Sequence, residues 1–170
     1  MHDSTRKGTA YPAAIPRRRR RWPSLPTLIA GAVAVIRVPF RINRSALDSM
    51  MRPLDVTATL PGPEVRHRAR EALRVTRALL SRLARIPGSP WRNTCLFRSI
   101  AAHAALSWYG VPARLRIGVR RATGDGATGI VAHAWLECED PTLAAEKQPG
   151  MTPLEPSAAR HVIARGAGFE

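Results

Sequence analysis

A chain of 170 residues with 45% apolar content is long enough for one domain around a single buried core. Its two cysteines exclude a disulfide framework, and with five scattered histidines they offer no zinc-ligand spacing, so neither a metal nor a cofactor is expected. Arginine supplies most of the net charge of +15; a compositional bias toward arginine accounts for much of it, and nucleic acid, an anionic membrane surface and acidic protein partners compete for the rest. Aromatics at 5%, none interleaved with the basic residues, exclude a stacking platform for single strands, and no nucleic-acid partner is expected.

Residues 1–24 are polar, basic and punctuated by proline, and read as a disordered basic arm. The apolar run at 28–36 follows the block Arg17 to Arg21 in the order of a secretory signal, but it is too short to span a bilayer. The favoured reading is a short helix, ended before Pro39, that docks on the domain or lies at a membrane surface. Residues 25–60 are thus a short helix and linker, with membrane contact open for 25–45 in an otherwise cytoplasmic protein.

The main domain is expected over 61–150, with 151–170 as a tail. Pro61 and Pro63 punctuate the start of a helix over 64–86, in which Val65, Ala69, Ala72, Leu73, Leu80 and Leu83 recur at helical spacing. Pro87-Gly88-Ser89-Pro90 breaks the chain, and a second helix follows over 94–109. That helix is apolar nearly all round and should be buried, with Gly110 as its stop. Strict alternation over 113–120 predicts a half-buried strand, and a loop over 123–129 leads to a second strand over 130–138. Glu139-Asp140-Pro141 marks a turn, after which 142–147 are expected to return as a third strand.

Cys95 and His133 carry the chemistry. Asn93 or Thr94 can cap the second helix, which puts Cys95 in its first turn. Unpaired amides there favour a thiolate and can donate to an oxyanion, while a histidine on a nearby strand takes the thiol proton. His133 shares its strand face with Val131, Trp135 and Glu137, so Trp135 either shields the imidazole or shapes a substrate groove. Cys138 points the other way and reads as core, as does His103 in mid-helix. A carboxylate should orient the imidazole. A two-residue turn at Glu139-Asp140 would set Glu146 opposite His133, and a longer loop would bring Asp140 back instead. Arg98 and Ser99 share the side of the helix that carries Cys95, and Arg98 could anchor an acidic substrate group.

Three blocks together resemble a known family. They are Cys95-Leu96-Phe97-Arg98-Ser99-Ile100-Ala101, then Tyr109-Gly110-Val111-Pro112-Ala113-Arg114-Leu115-Arg116-Ile117-Gly118-Val119, then Ala132-His133-Ala134-Trp135-Leu136-Glu137. They are similar to the leader peptidases of lasso-peptide biosynthesis, within the transglutaminase-like superfamily, and Ile36-Arg37-Val38-Pro39-Phe40-Arg41 is similar to a segment after that family's first helix. The resemblance implies an α+β, transglutaminase-like and papain-like fold, with N-terminal helices packed on a small antiparallel sheet. It implies a cysteine protease that removes the leader from a ribosomally made precursor so that a partner cyclase can close the macrolactam. Cys95 matches the nucleophile and His133 the base. The family's acidic residue lies about a dozen positions after the histidine, where this chain has Ala145 with Glu146 beside it. Some relatives carry an N-terminal leader-binding domain; residues 1–60 do not read as one, so a separate leader-binding protein is expected. The rival readings are another acyl transfer at the same site and a non-catalytic basic binding module on the same fold.

Overall fold

Hydrophobic periodicity sets the helical half of the molecule. The computed structural model describes residues 22–42, 44–52, 61–122, 129–144 and 149–164, so most of the basic arm, the loop at 123–128 and Glu146 lie outside the described residues. Helix α1 (Leu25–Ile36) buries Thr27, Ala30, Gly31, Ala34 and Val35, an i, i+3, i+4 stripe, chiefly against α4 (Pro63–Leu83). The contact depends on Gly31: a Cβ there would stand 2.7 Å from a methyl of Val75, so any side chain would push the two helices apart.

Helix α1 ends before Pro39, as expected, and the chain turns again at once. A single turn, α2 (Val38–Arg41), carries that proline at its start, where a missing N–H costs nothing. Helix α3 (Arg44–Met51) occupies what the sequence suggests is linker, and its buried residues Leu47, Met50 and Met51 repeat at helical spacing. Helix α5 (Cys95–Trp108) is the central element, with Ile100, Ala101, Ala105 and Leu106 fully enclosed.

Beside α5 lies an antiparallel sheet of β1 (Ala113–Arg121), β2 (Ile130–Cys138) and β3 (Thr152–Pro153), in the order β2-β1-β3. Leu115 and Ile117 of β1 and Ala134 and Leu136 of β2 face the helical core. The architecture is α+β, as expected, but the third strand is not. Residues 141–144 form a turn, closed by the Leu143 and Ala144 amides on the Asp140 carbonyl and by the Thr142 amide on the Asp140 carboxylate at 2.9 Å. The aspartate's own side chain satisfies the backbone there, and that turn replaces the predicted hairpin. The third strand comes later and pairs with the far side of β1, Gly118 opposite Pro153 and Val119 opposite Thr152. The segment read as a tail thus supplies β3 and then α6 (Pro156–Ala164). Among the described residues strand β2 is left as a sheet edge, and that edge is where the site forms.

Candidate active site

Two side chains of α5 close the open edge of β2. Ala134 pairs opposite Ile117 with both of its backbone polar groups turned away from β1. Its N–H donates to Cys95 Sγ at 3.3 Å, and its carbonyl accepts from Ser99 Oγ at 3.0 Å. Cys95 and Ser99 are one helical turn apart, so a single face of α5 satisfies the donor and the acceptor that an edge strand would otherwise leave bare. The same contact fixes the start of the helix beside His133. Thr94 is the cap, accepting weakly from the Phe97 amide at 3.4 Å, while Asn93 accepts from Arg98 Nε at 2.9 Å.

Ser99 is buried, so Ser99→Ala would strand a buried carbonyl at the strand edge. A destabilisation of about 1–3 kcal/mol is expected in thermal or denaturant unfolding. Ser99→Thr, which keeps the hydroxyl, should lose less.

Cys95 and His133 line one cavity of about 460 Å³, together with Arg77, Ser81, Asn93 and Arg98. Sequence reasoning reaches the two reactive residues and Arg98. It does not reach Arg77 and Ser81, which α4 contributes from a distance in the chain that no local pattern spans. Trp135 does not shape the cavity. It is 1% exposed and lies against His133, with ring centroids 6.3 Å apart and planes 14° from parallel, so it shields one side of the imidazole.

Burial pushes the Cys95 thiol above its ordinary range. The amides of Ala134, Leu96 and Cys95 itself, and the charge of Arg98, oppose that effect without overcoming it. The amides of the helix start do not by themselves offset burial, so a base must take the proton, the part the sequence assigns to His133. A measurable consequence concerns pH. Alkylation of Cys95 by iodoacetamide should be slow at pH 7 and rise about tenfold per pH unit through pH 9, because only the thiolate reacts. A rate already level at pH 7 would mean that the thiol is ionised at rest.

Cys138 packs partly buried against the core, its thiol also raised by burial. His103 is largely enclosed in mid-helix, and burial lowers its pKa. Asp140 accepts from the Thr142 amide and hydroxyl and pairs with Arg66 at 3.5 Å. Those contacts, the Thr142 hydroxyl foremost, hold its carboxyl below the usual carboxylate range, and it does not line the cavity. Glu137, on the face of His133, pairs with Arg116 at 3.4 Å. Among the described residues no three His, Cys, Asp or Glu side chains gather as a metal site requires.

The family model of the transglutaminase-like superfamily matches residues 34–158. That span takes in α2 to α5, the three strands and both reactive residues, and the chain belongs to this superfamily. No curated protein and no solved structure matches it significantly.

Proposed function

We propose that this member of the transglutaminase-like superfamily is a cysteine peptidase that removes the leader from a lasso-peptide precursor. In this reading it acts with a separate leader-binding protein and a macrolactam-forming cyclase. The superfamily is consistent with cysteine protease or acyltransferase activity. The observation that carries the proposal is that a helix-start cysteine and a strand histidine line one cavity, within the sequence blocks that resemble the leader peptidases.

In the proposed reaction His133 accepts the Cys95 proton as the sulfur attacks the scissile carbonyl. The tetrahedral oxyanion is held by amides at the start of α5, which a helix N-terminus leaves without intrahelical partners. Collapse expels the amine of the core peptide, which His133 protonates, and the leader remains as a thioester. Water, deprotonated by the same histidine, then releases the leader acid and restores the thiol. Glu146 is the proposed orienting carboxylate, on its spacing from the histidine. Asp140 is the weaker candidate because its oxygens are already engaged.

The test is cleavage of a precursor peptide by purified protein, alone and with the leader-binding partner. The chain alone should cut poorly and the partner should restore the rate, chiefly by raising the local substrate concentration. The rate should fall with added salt if arginines contact an acidic leader or partner. Full leader-dependent cleavage without a partner would remove the separate protein from the scheme. An amide product that appears only with an added amine would assign the site to acyl transfer instead.

A further inference from the structure

Helix α1 has no polar side. Its inner face packs on α4, and its outer face consists of Leu25, Leu28, Ile29, Ala32, Val33 and Ile36. A helix on a protein surface normally turns charged or polar residues outward, whereas one that is apolar all round is covered on all sides. Here the outer face is bare: Leu25 is 69% exposed and Ile36 54%. The exposed apolar surface extends at both ends of the helix, to Trp22 at 92% and Phe40 at 77%. Beside it Val33, Arg37, Arg41 and Trp108 line one shallow pocket, so an exposed tryptophan from the end of α5 joins the same surface. A contiguous patch of this kind marks an interaction site.

Charge identifies what covers it. Between Asp3 and Asp48 the sequence contains no acidic residue, yet it holds Arg6, Lys7, Arg17 to Arg21, Arg37, Arg41 and Arg44. Most of the excess behind the net charge of +15 thus flanks one apolar helix in the sequence, with five arginines directly before Trp22. No described helix is long and apolar enough to cross a membrane. An apolar helix face, tryptophans at its margin and an adjacent polybasic run are together what an anionic lipid surface holds, since stable attachment takes both an apolar and an electrostatic contribution.

We infer that the outer face of α1, with Trp22, Phe40 and Trp108, docks the protein onto an anionic membrane surface, the electrostatic contribution coming from the basic residues that flank the helix in the sequence. Helix α5 runs from Cys95 to Trp108, about 20 Å at 1.5 Å per residue. Trp108 and Cys95 thus stand at opposite ends of that helix. This inference does not rest on the proposed peptidase activity, and a Cys95→Ala protein should bind lipid as the wild type does.

The experiment is co-sedimentation of the full chain with vesicles of phosphatidylcholine alone and of equal parts phosphatidylcholine and phosphatidylglycerol. Strong partition is expected only onto the anionic vesicles. Replacing Arg17 to Arg21 by glutamine should weaken it by about fivefold per arginine. The triple variant Leu25→Gln, Ile29→Gln, Ile36→Gln should weaken it about tenfold or more, with its unfolding midpoint unchanged because those side chains touch solvent. Three results would overturn the inference. One is no preference for the anionic vesicles, and another is equal partition of the triple variant, which would leave charge alone at work. The third is a concentration-dependent dimer that the triple variant abolishes while lipid binding stays absent, which would give the face to a second copy of the chain.

Discussion

Cys95→Ala is expected to abolish precursor cleavage, with turnover falling by at least about four orders of magnitude, while Cys138→Ala cuts at close to the wild-type rate. Cys95 lines the cavity with His133, whereas Cys138 packs against the core at the far end of β2. The alanine variant has a second consequence, because Cys95 Sγ is also the acceptor for the Ala134 amide. Removing it leaves a buried donor unpaired, at about 1–3 kcal/mol. Cys95→Ser keeps an acceptor at that place, so it should be as inactive as Cys95→Ala but more stable. That pairing separates loss of the nucleophile from loss of the edge contact. An active Cys95→Ser with a dead Cys138→Ala would mean that the nucleophile has been misassigned.

The legible elements are those whose own residues carry the period. Helix α5 and strands β1 and β2 stand within a residue of where apolar spacing and the Thr94 cap set them, and α4 ends a turn short of the predicted stop, at Leu83. Helix α3 is missed because it is only eight residues long and its apolar positions Leu47, Met50 and Met51 stand among arginine, serine and aspartate, too short a run to stand out. Strand β3 has no signal of its own. It is two residues long, one of them proline, and it exists because the far edge of β1 offers Gly118 and Val119 as partners and Ile117 accepts from Leu154 at 2.8 Å. The strand expected at 142–147 after the Glu139-Asp140-Pro141 turn does not start, because the Asp140 carboxylate captures the Thr142 amide first. For the site, Cys95 and His133 are legible because helix starts and strand faces are local properties. That the Ala134 amide donates to the Cys95 sulfur depends on β2 being an edge, and strand order is not written in either strand.

Gly118→Ala should lower both stability and turnover, although the residue stands outside the cavity. Gly118 pairs opposite His133 across β1 and β2, on the face that also carries Trp135. Because Gly118 has no side chain, the indole can lie across it and rest against the imidazole. A Cβ at Gly118 would stand 2.8 Å from Trp135 Cη2 and 2.9 Å from the Thr152 carbonyl oxygen. The carbonyl belongs to the β3 pairing, and Trp135 is too enclosed to swing away, so neither neighbour can yield cheaply. Overpacking of this kind costs about 1–3 kcal/mol. The ring under strain is the one stacked beside His133, and a misplacement of about 1 Å at a catalytic group can cost about a hundredfold in rate. Trp135→Phe, smaller at the point of collision, should recover part of both losses in the Gly118→Ala background while being harmful alone. Thermal unfolding and the pH dependence of turnover would be measured on all three variants. If Gly118→Ala loses stability with turnover and its pH profile unchanged, the indole supports only the sheet and His133 is held by other contacts.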